Sequence, residues 1–228
     1  MKVGVLGATG AAGRGLVSRL ANAGLRVYAG SRDPARAEAI VKQLQDQWGH
    51  RMGRIEPVSN AEAAEQGEIV VLATAAAATV DTATAHAGAL AGKPVVSMAS
   101  SMVKVGASFQ YAQGPEPRRS HVVPIPKGSI SAAVQAAAPE ALVAAALHHV
   151  PAVALANLDK PMVGDVVVVS DHLEALRCTE ALVSAMPDLR ALDGGPLENA
   201  LGLESFTAVI LTVNLRYGSR VTLQLMAS

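Results

Sequence analysis

Gly7, Gly10 and Gly13 follow directly on the apolar run Val3, Val5 and Leu6. Residue types in that order point to one chemistry, the holding of a dinucleotide's phosphates. An apolar strand runs into a turn that Gly7 makes sharp, and Gly10 and Gly13 remove side chains where a pyrophosphate and a neighbouring strand must come close. The helix that follows presents unsatisfied N–H groups and the positive end of its dipole, so phosphate is held largely through backbone. Thr9, Ala11 and Ala12 belong to the same turn and helix start and join the glycines as candidate cofactor contacts. The spacing is G-x-x-G-x-x-G, which taken alone also fits an ordinary strand–loop–helix junction.

The second chemically informative stretch is Arg26-Val27-Tyr28-Ala29-Gly30-Ser31-Arg32-Asp33-Pro34, a second strand and its exit loop. Proteins that prefer NAD usually end this strand with an acidic residue that accepts from the ribose hydroxyls and repels a 2′-phosphate. Here Ser31 and Arg32 stand at that position, and Arg36 lies one helical turn further along. A hydroxyl and guanidinium groups donate to phosphate oxygens, so NADP is expected over NAD. A solvated basic turn, with Asp33 paired to either arginine, is the plainer alternative.

The elements that must position these residues follow from the rest of the chain. Its 228 residues are 50% hydrophobic and 17% charged, enough to bury a sizeable core, and the aromatic content is only 3%. No apolar run reaches the roughly 18 to 20 residues of a membrane span, and the net charge of zero argues against a general nucleic-acid binder. The first strand begins at once, leaving no room for a signal peptide, and a single Cys178 allows no internal disulfide, so a soluble cytoplasmic protein is expected. Strand and helix alternate. Helices are expected over 11–23 and 34–47, a strand over 54–58, a short helix capped by Asn60, and a buried strand over 69–73. A helix over 79–90 and a strand over 94–97 follow, giving a doubly wound parallel α/β sheet of the Rossmann type. Ligands of such sheets sit at the carboxyl ends of the strands, which adds Ala73, Thr74 and Ser97 to the candidate cofactor contacts.

Residues 98–130 carry several glycines and prolines and read as a long irregular excursion on the ligand side. Beyond it come a helix over 131–138, strands over 141–147 and 165–169, and helices over 173–185 and 199–217, a smaller C-terminal α+β portion. No catalytic triad or metal cluster emerges. His148 and His149 are adjacent and face different directions, unlike the i, i+4 pair with which a helix holds zinc. Short-chain dehydrogenases need Tyr and a Lys four residues on, but Tyr28, Tyr111 and Tyr217 are followed at that spacing by Arg32, Pro115 and Val221.

Gly7-Ala8-Thr9-Gly10-Ala11-Ala12-Gly13, Gly30-Ser31-Arg32, Leu147-His148-His149-Val150-Pro151-Ala152 and the stretch from Gly195-Pro196-Leu197-Glu198-Asn199 to Glu204-Ser205-Phe206-Thr207 together carry a resemblance. Over nearly the whole chain, the sequence resembles the NADPH-dependent reductases of the deazaflavin coenzyme F420. The resemblance implies hydride transfer between NADP(H) and coenzyme F420, with Thr9, Ser31, Arg32 and Arg36 holding NADP. It implies that His148, Val150, Ala152, Ser205 and Thr207 surround the stacked rings, with His148, Ser205 and Thr207 the candidate catalytic residues. It further implies an NADP-binding domain over 1–147, a smaller domain over 148–228 completing the deazaflavin pocket, and a homodimer. Two cofactors that carry their own reactive carbons need only be placed face to face in a dry site. Ser205 and Thr207 are two apart on a helix, so only one points straight at the rings. The family commonly continues after the fourth strand with Pro-Trp-Glu, where this chain reads Thr74-Ala75-Ala76-Ala77-Ala78. Another acceptor (a flavin, imine or carbonyl) and a non-catalytic NADP(H) sensor therefore stay open.

Overall fold

Short valine-rich runs alternate with alanine-rich segments whose apolar residues recur at helical spacing, and the two periods build a sheet with helices on both faces. The computed structural model describes residues 1–112, 128–219 and 221–226. The first half contains β1 (Lys2–Leu6), α1 (Ala11–Asn22), β2 (Arg26–Ser31), α2 (Pro34–Trp48), β3 (Arg54–Ser59), α3 (Asn60–Gln66), β4 (Ile69–Leu72), α4 (Ala76–Ala85), α5 (Ala87–Leu90) and β5 (Pro94–Ser97). A hairpin of β6 (Met102–Val105) and β7 (Ser108–Tyr111) follows. The second half contains α6 (Ile130–Ala137), β8 (Leu142–Ala145), α7 (Ala152–Ala156), β9 (Gly164–Ser170), α8 (Leu173–Ser184), β10 (Leu189–Asp193) and α9 (Ala200–Tyr217).

Eight strands form one sheet in the order β10-β9-β8-β5-β4-β1-β2-β3. The six from β3 to β8 are mutually parallel; β9 runs antiparallel to β8, and β10 parallel to β9. Side chains alternate across the sheet. Val3 and Val5 pack with Leu16 and Leu20 of α1, Leu155 of α7 and Leu182 of α8 on one face. Leu6 and Leu72 pack with Ala63 of α3, Leu90 of α5 and Val134 of α6 on the other. The parallel αβ succession therefore carries its ligand edge where β1, β2, β4, β5 and β8 end.

Most expected elements appear within a residue or two, and the differences have local causes. Ser59, not Asn60, caps α3: its side chain accepts from the Glu62 N–H while the Glu62 carboxylate accepts from the Ser59 N–H, a reciprocal capping box. The excursion expected over 98–130 begins as a hairpin, turned at Gly106 with φ +58, because Met102, Val103, Phe109 and Tyr111 give it strand-forming residues on both arms. The remainder of that expectation, 113–127, lies outside the described residues. The strand expected over 165–169 is present and runs antiparallel to β8. Also unforeseen are α7, five residues with no polar stripe to set a period, and β10, a short edge strand with Arg190 as its second residue. The domain boundary expected at 147 falls just after β8, and the sheet continues across it through Ala144↔Ser170 and Ala145↔Val169.

Candidate functional site

At the end of β1 the chain turns through Gly7 at φ +85, and the Gly7 N–H is held by the carbonyl of Gly30 and by Oδ1 of Asn60, each at 3.2 Å. A Cβ on Gly7 would stand 2.8 Å from Cγ2 of Thr74, and one on Gly13 would stand 2.3 Å from the Gly7 carbonyl oxygen. Both positions demand glycine for packing. Gly10 differs: its nearest neighbour to an added Cβ is 3.5 Å away, so what its missing side chain leaves open is the cleft it lines. No side chain caps α1, and Arg14 is the first residue whose N–H finds a carbonyl one turn back, at Gly10. The amides of Ala11, Ala12 and Gly13 thus have no acceptor within their own helix, the arrangement that binds phosphate.

A cleft of about 530 Å³ opens over this turn, lined by Gly7, Thr9 and Gly10 on one side and by Ser31, Arg32 and Arg36 on another. Ala73, Thr74, Ala75 and Ala78 form the facing wall. Ser31 is buried and its Oγ accepts from the Asp33 N–H, leaving its own proton to donate. Asp33 accepts from the Ala35 N–H as the cap of α2, and is thereby turned into the helix rather than onto an arginine. Arg32 and Arg36 are exposed and have no ion-pair or hydrogen-bond partner among the described residues. Asn60, expected as the cap of α3, lines the cleft instead. With Ser59 taking that task, the Asn60 amide oxygen holds the glycine turn. A serine one position earlier and a glutamate three beyond it was the available signal.

A second pocket, about 230 Å³, lies at the ends of β5 and β8. Met98, Ser100 and Met102 form one wall, the turn from His148 to Ala152 a second, and Thr207, Ile210 and Asn214 of α9 a third. Leu147, buried and in the left-handed region at φ +67, swings the chain at the end of β8 into this turn. A bulky residue rarely adopts that conformation unless its surroundings impose it. The turn is seated by α7 on α1: a Cβ on Gly15 would stand 2.8 Å from Cβ of Leu155 and 2.9 Å from the Ala152 carbonyl oxygen, so only glycine permits the approach. Arg19, buried on α1, donates to the carbonyls of Ala154, Leu155, Asn157 and Lys160 and so closes the far end of α7.

Val150, Ala152 and Thr207 line the pocket as expected positions, and Ser100 Oγ stands 3.4 Å from Thr207 Oγ1. Three other expected positions are set differently from these. The His148 imidazole is fully buried, so only its backbone is presented to the pocket; neither ring nitrogen has a hydrogen-bond partner, and Nε2 lies 4.0 Å from Glu204 Oε1. Burial foremost, with His149 adding to it, pushes the His148 pKa down to about 3. Ser205 lies outside the lining, its hydroxyl donating to the Gly202 carbonyl, because on α9 it points away from Thr207. Ser97 is sealed in β5 with its hydroxyl unpaired and lines neither cavity, whereas Ser100 three residues on does. His149 donates from Nε2 to the Asp165 carbonyl, and burial likewise lowers its pKa. Among the described residues, no three His, Cys, Asp or Glu side chains converge as a metal site would require.

The described geometry joins a glycine turn with open helix amides and two unpaired arginines to an apolar pocket whose two histidines are buried and neutral. The family model for coenzyme F420-dependent NADP oxidoreductases matches residues 2–101. The F420-dependent NADP reductase of Methanocaldococcus jannaschii is 31% identical over 224 residues, covering 97% of this chain and 96% of the relative. That of Methanothermobacter marburgensis is 31% identical over 222 residues, covering 95% and 93%. Among solved structures, a candidate F420-dependent NADP-reductase from Arthrobacter sp. FB24 superposes with a TM-score of 0.78 at 26% identity over 100% of both chains. With such likeness running from end to end, the chain belongs to the family of F420-dependent NADP reductases.

Proposed function

We propose that this protein transfers a hydride between NADP(H) and coenzyme F420, with the nucleotide in the cleft beside Gly10 and the deazaflavin in the pocket beside Thr207. The observation that carries the reading is the pairing of these two cavities on one sheet edge, the first basic and polar, the second apolar. The residues fit NADP. The open N-terminus of α1 and the space over Gly10 take the pyrophosphate, while Ser31, Arg32 and Arg36 are free to donate to a 2′-phosphate.

When both are bound, the reduced nicotinamide supplies two electrons and a proton as hydride, and solvent supplies the further proton that completes the reduced deazaflavin. The chain's own part is positioning. Met98, Met102 and Ile210 exclude water, and the backbone of the turn from His148 to Ala152 supplies a rigid floor. The Thr207 hydroxyl donates to the Leu203 carbonyl and is the polar group of α9 set nearest to Ser100. His148 is a neutral imidazole at ordinary pH and lacks the acidic proton of an imidazolium, and direct hydride transfer asks for none.

Residues 148–228 complete this pocket in our reading, whether or not they fold apart from 1–147. The active form is a homodimer, supported by the exposed apolar side chains of Phe206, Val209 and Leu215 on α9. A cytoplasmic setting is supported by the single free Cys178, and no described helix is long and apolar enough to cross a membrane. The partners of this reading are the two small molecules and a second copy of the chain. Mixing the purified protein with NADPH and oxidised F420 and following the loss of deazaflavin absorbance tests it. Steady turnover is expected. Binding of NADPH without turnover would move the assignment to another acceptor or to a sensor.

A further inference from the structure

Glu204 has no exposed side-chain surface, and its carboxylate is surrounded by donors from two other elements. The Tyr111 hydroxyl donates to Oε2 at 2.7 Å and the Ile130 N–H to the same oxygen at 2.8 Å. The Ser131 N–H and Oγ donate to Oε1 at 2.9 and 2.8 Å. One carboxylate therefore fastens the end of β7 and the first turn of α6 to α9, at two positions that bracket residues 112–129. Burial pushes its pKa up, and the four donors oppose that shift. A group so costly to bury is retained where it fixes a geometry.

What it fixes is a wall of the apolar pocket. Tyr111 is the direct cross-strand partner of Met102, which lines that pocket, and the Ala112 N–H donates to the Ser101 carbonyl between Ser100 and Met102. Lower on the same ribbon, the Phe109 N–H donates to Thr212 Oγ1, so the hairpin meets α9 at a second point. Thr207, three residues after Glu204 and hence on the same side of α9, faces the same pocket.

We infer that Glu204, acting through Tyr111, is a positioning residue that holds the Met98 to Met102 wall against the turn from His148 to Ala152 and so sets the width of the deazaflavin pocket. The inference rests on the functional reading above for the identity of the ligand, but not for the geometry. Tyr111→Phe removes one donor while leaving the cap of α6 in place. It is expected to raise KM for F420 about tenfold, the size of one hydrogen bond to a charged group, with kcat and the NADPH Kd within about twofold. Glu204→Gln, which turns an N–H group toward donors, should show the same split with a larger rise in KM. In protein labelled with carbon-13 at the methionine methyls, Tyr111→Phe should shift the Met102 and Met98 resonances and leave the distant Met52 and Met186 in place. An unchanged KM for F420, or kcat, KM and NADPH affinity failing together with the folded fraction, would overturn the inference. If the wild-type protein does not turn F420 over, the functional reading fails. The methyl spectrum still decides this one: a stationary Met102 resonance overturns it, and a shifted one upholds it.

Discussion

The cleft beside Gly10 is lined entirely by residues between Gly7 and Thr82, while the pocket beside Thr207 gathers Met98, His148 and Thr207 from three distant parts of the chain. The first is made by turns and helix starts whose conformation is dictated locally: a glycine at φ +85, an uncapped helix, an Asp cap that frees two arginines. The second exists only because β8 ends in a strained Leu147, α7 docks on Gly15, and Glu204 fastens the hairpin to α9. Sites of the first kind fail one residue at a time. Those of the second kind fail through their supports.

The largest expected effect breaks the cleft at its base. Gly13→Val forces a branched side chain onto the Gly7 carbonyl, 2.3 Å from the position of its Cβ. The turn must shift, costing about 1–3 kcal/mol of stability and about a hundredfold or more in NADP(H) affinity. Gly10→Ala, with 3.5 Å of room, should keep its melting temperature and lose affinity alone. Calorimetric binding alongside thermal unfolding measures both, and equal unfolding losses would remove the distinction between the two glycines.

Next in size, Arg32→Ala should weaken NADP by about tenfold to a hundredfold and NAD hardly at all, since it removes a charge-assisted contact to the 2′-phosphate. Parallel losses for both nucleotides would show that the arginine serves some other part of the cleft.

In the pocket, burial holds His148 neutral with a pKa of about 3, against about 6.5 when unfolded. Between those values the unfolded chain binds the extra proton, so the contribution is complete above about pH 6.5 and is lost as pH falls toward 3. His149 acts in the same direction, whereas Glu204, with its pKa raised, loses stability as pH rises through the carboxylate range. Denaturant midpoints at pH 7 and pH 5 should therefore drop less in His148→Asn than in the wild-type protein, by about 2 kcal/mol. Identical slopes would mean that the imidazole is hydrated. The pH profile of kcat should keep its shape in the same variant.

The smallest effect separates neighbours on α9. Thr207→Val should lower kcat/KM for F420 severalfold, and Ser205→Ala should leave it within about twofold, because only Thr207 faces the pocket. A larger loss at Ser205 would place α9 in a different rotation from the one described.

What the residues alone determined is local. The apolar run, the glycine spacing and the Ser31-Arg32 exit specify strand, turn, helix start and phosphate preference within a window of a few residues, because backbone sterics and capping act at that range. Even the divergence of Ser205 and Thr207 was legible from helical geometry, though not which of them faces inward. The tertiary structure decided the rest. It placed the His148 imidazole under the pocket floor and turned a presumed loop into a hairpin wall. It also ran β9 against β8, so that the sheet continues past residue 147. Each of these depends on which distant surfaces meet. A buried carboxylate such as Glu204 looks in sequence like any solvated helix residue until Tyr111, Ile130 and Ser131 close around it.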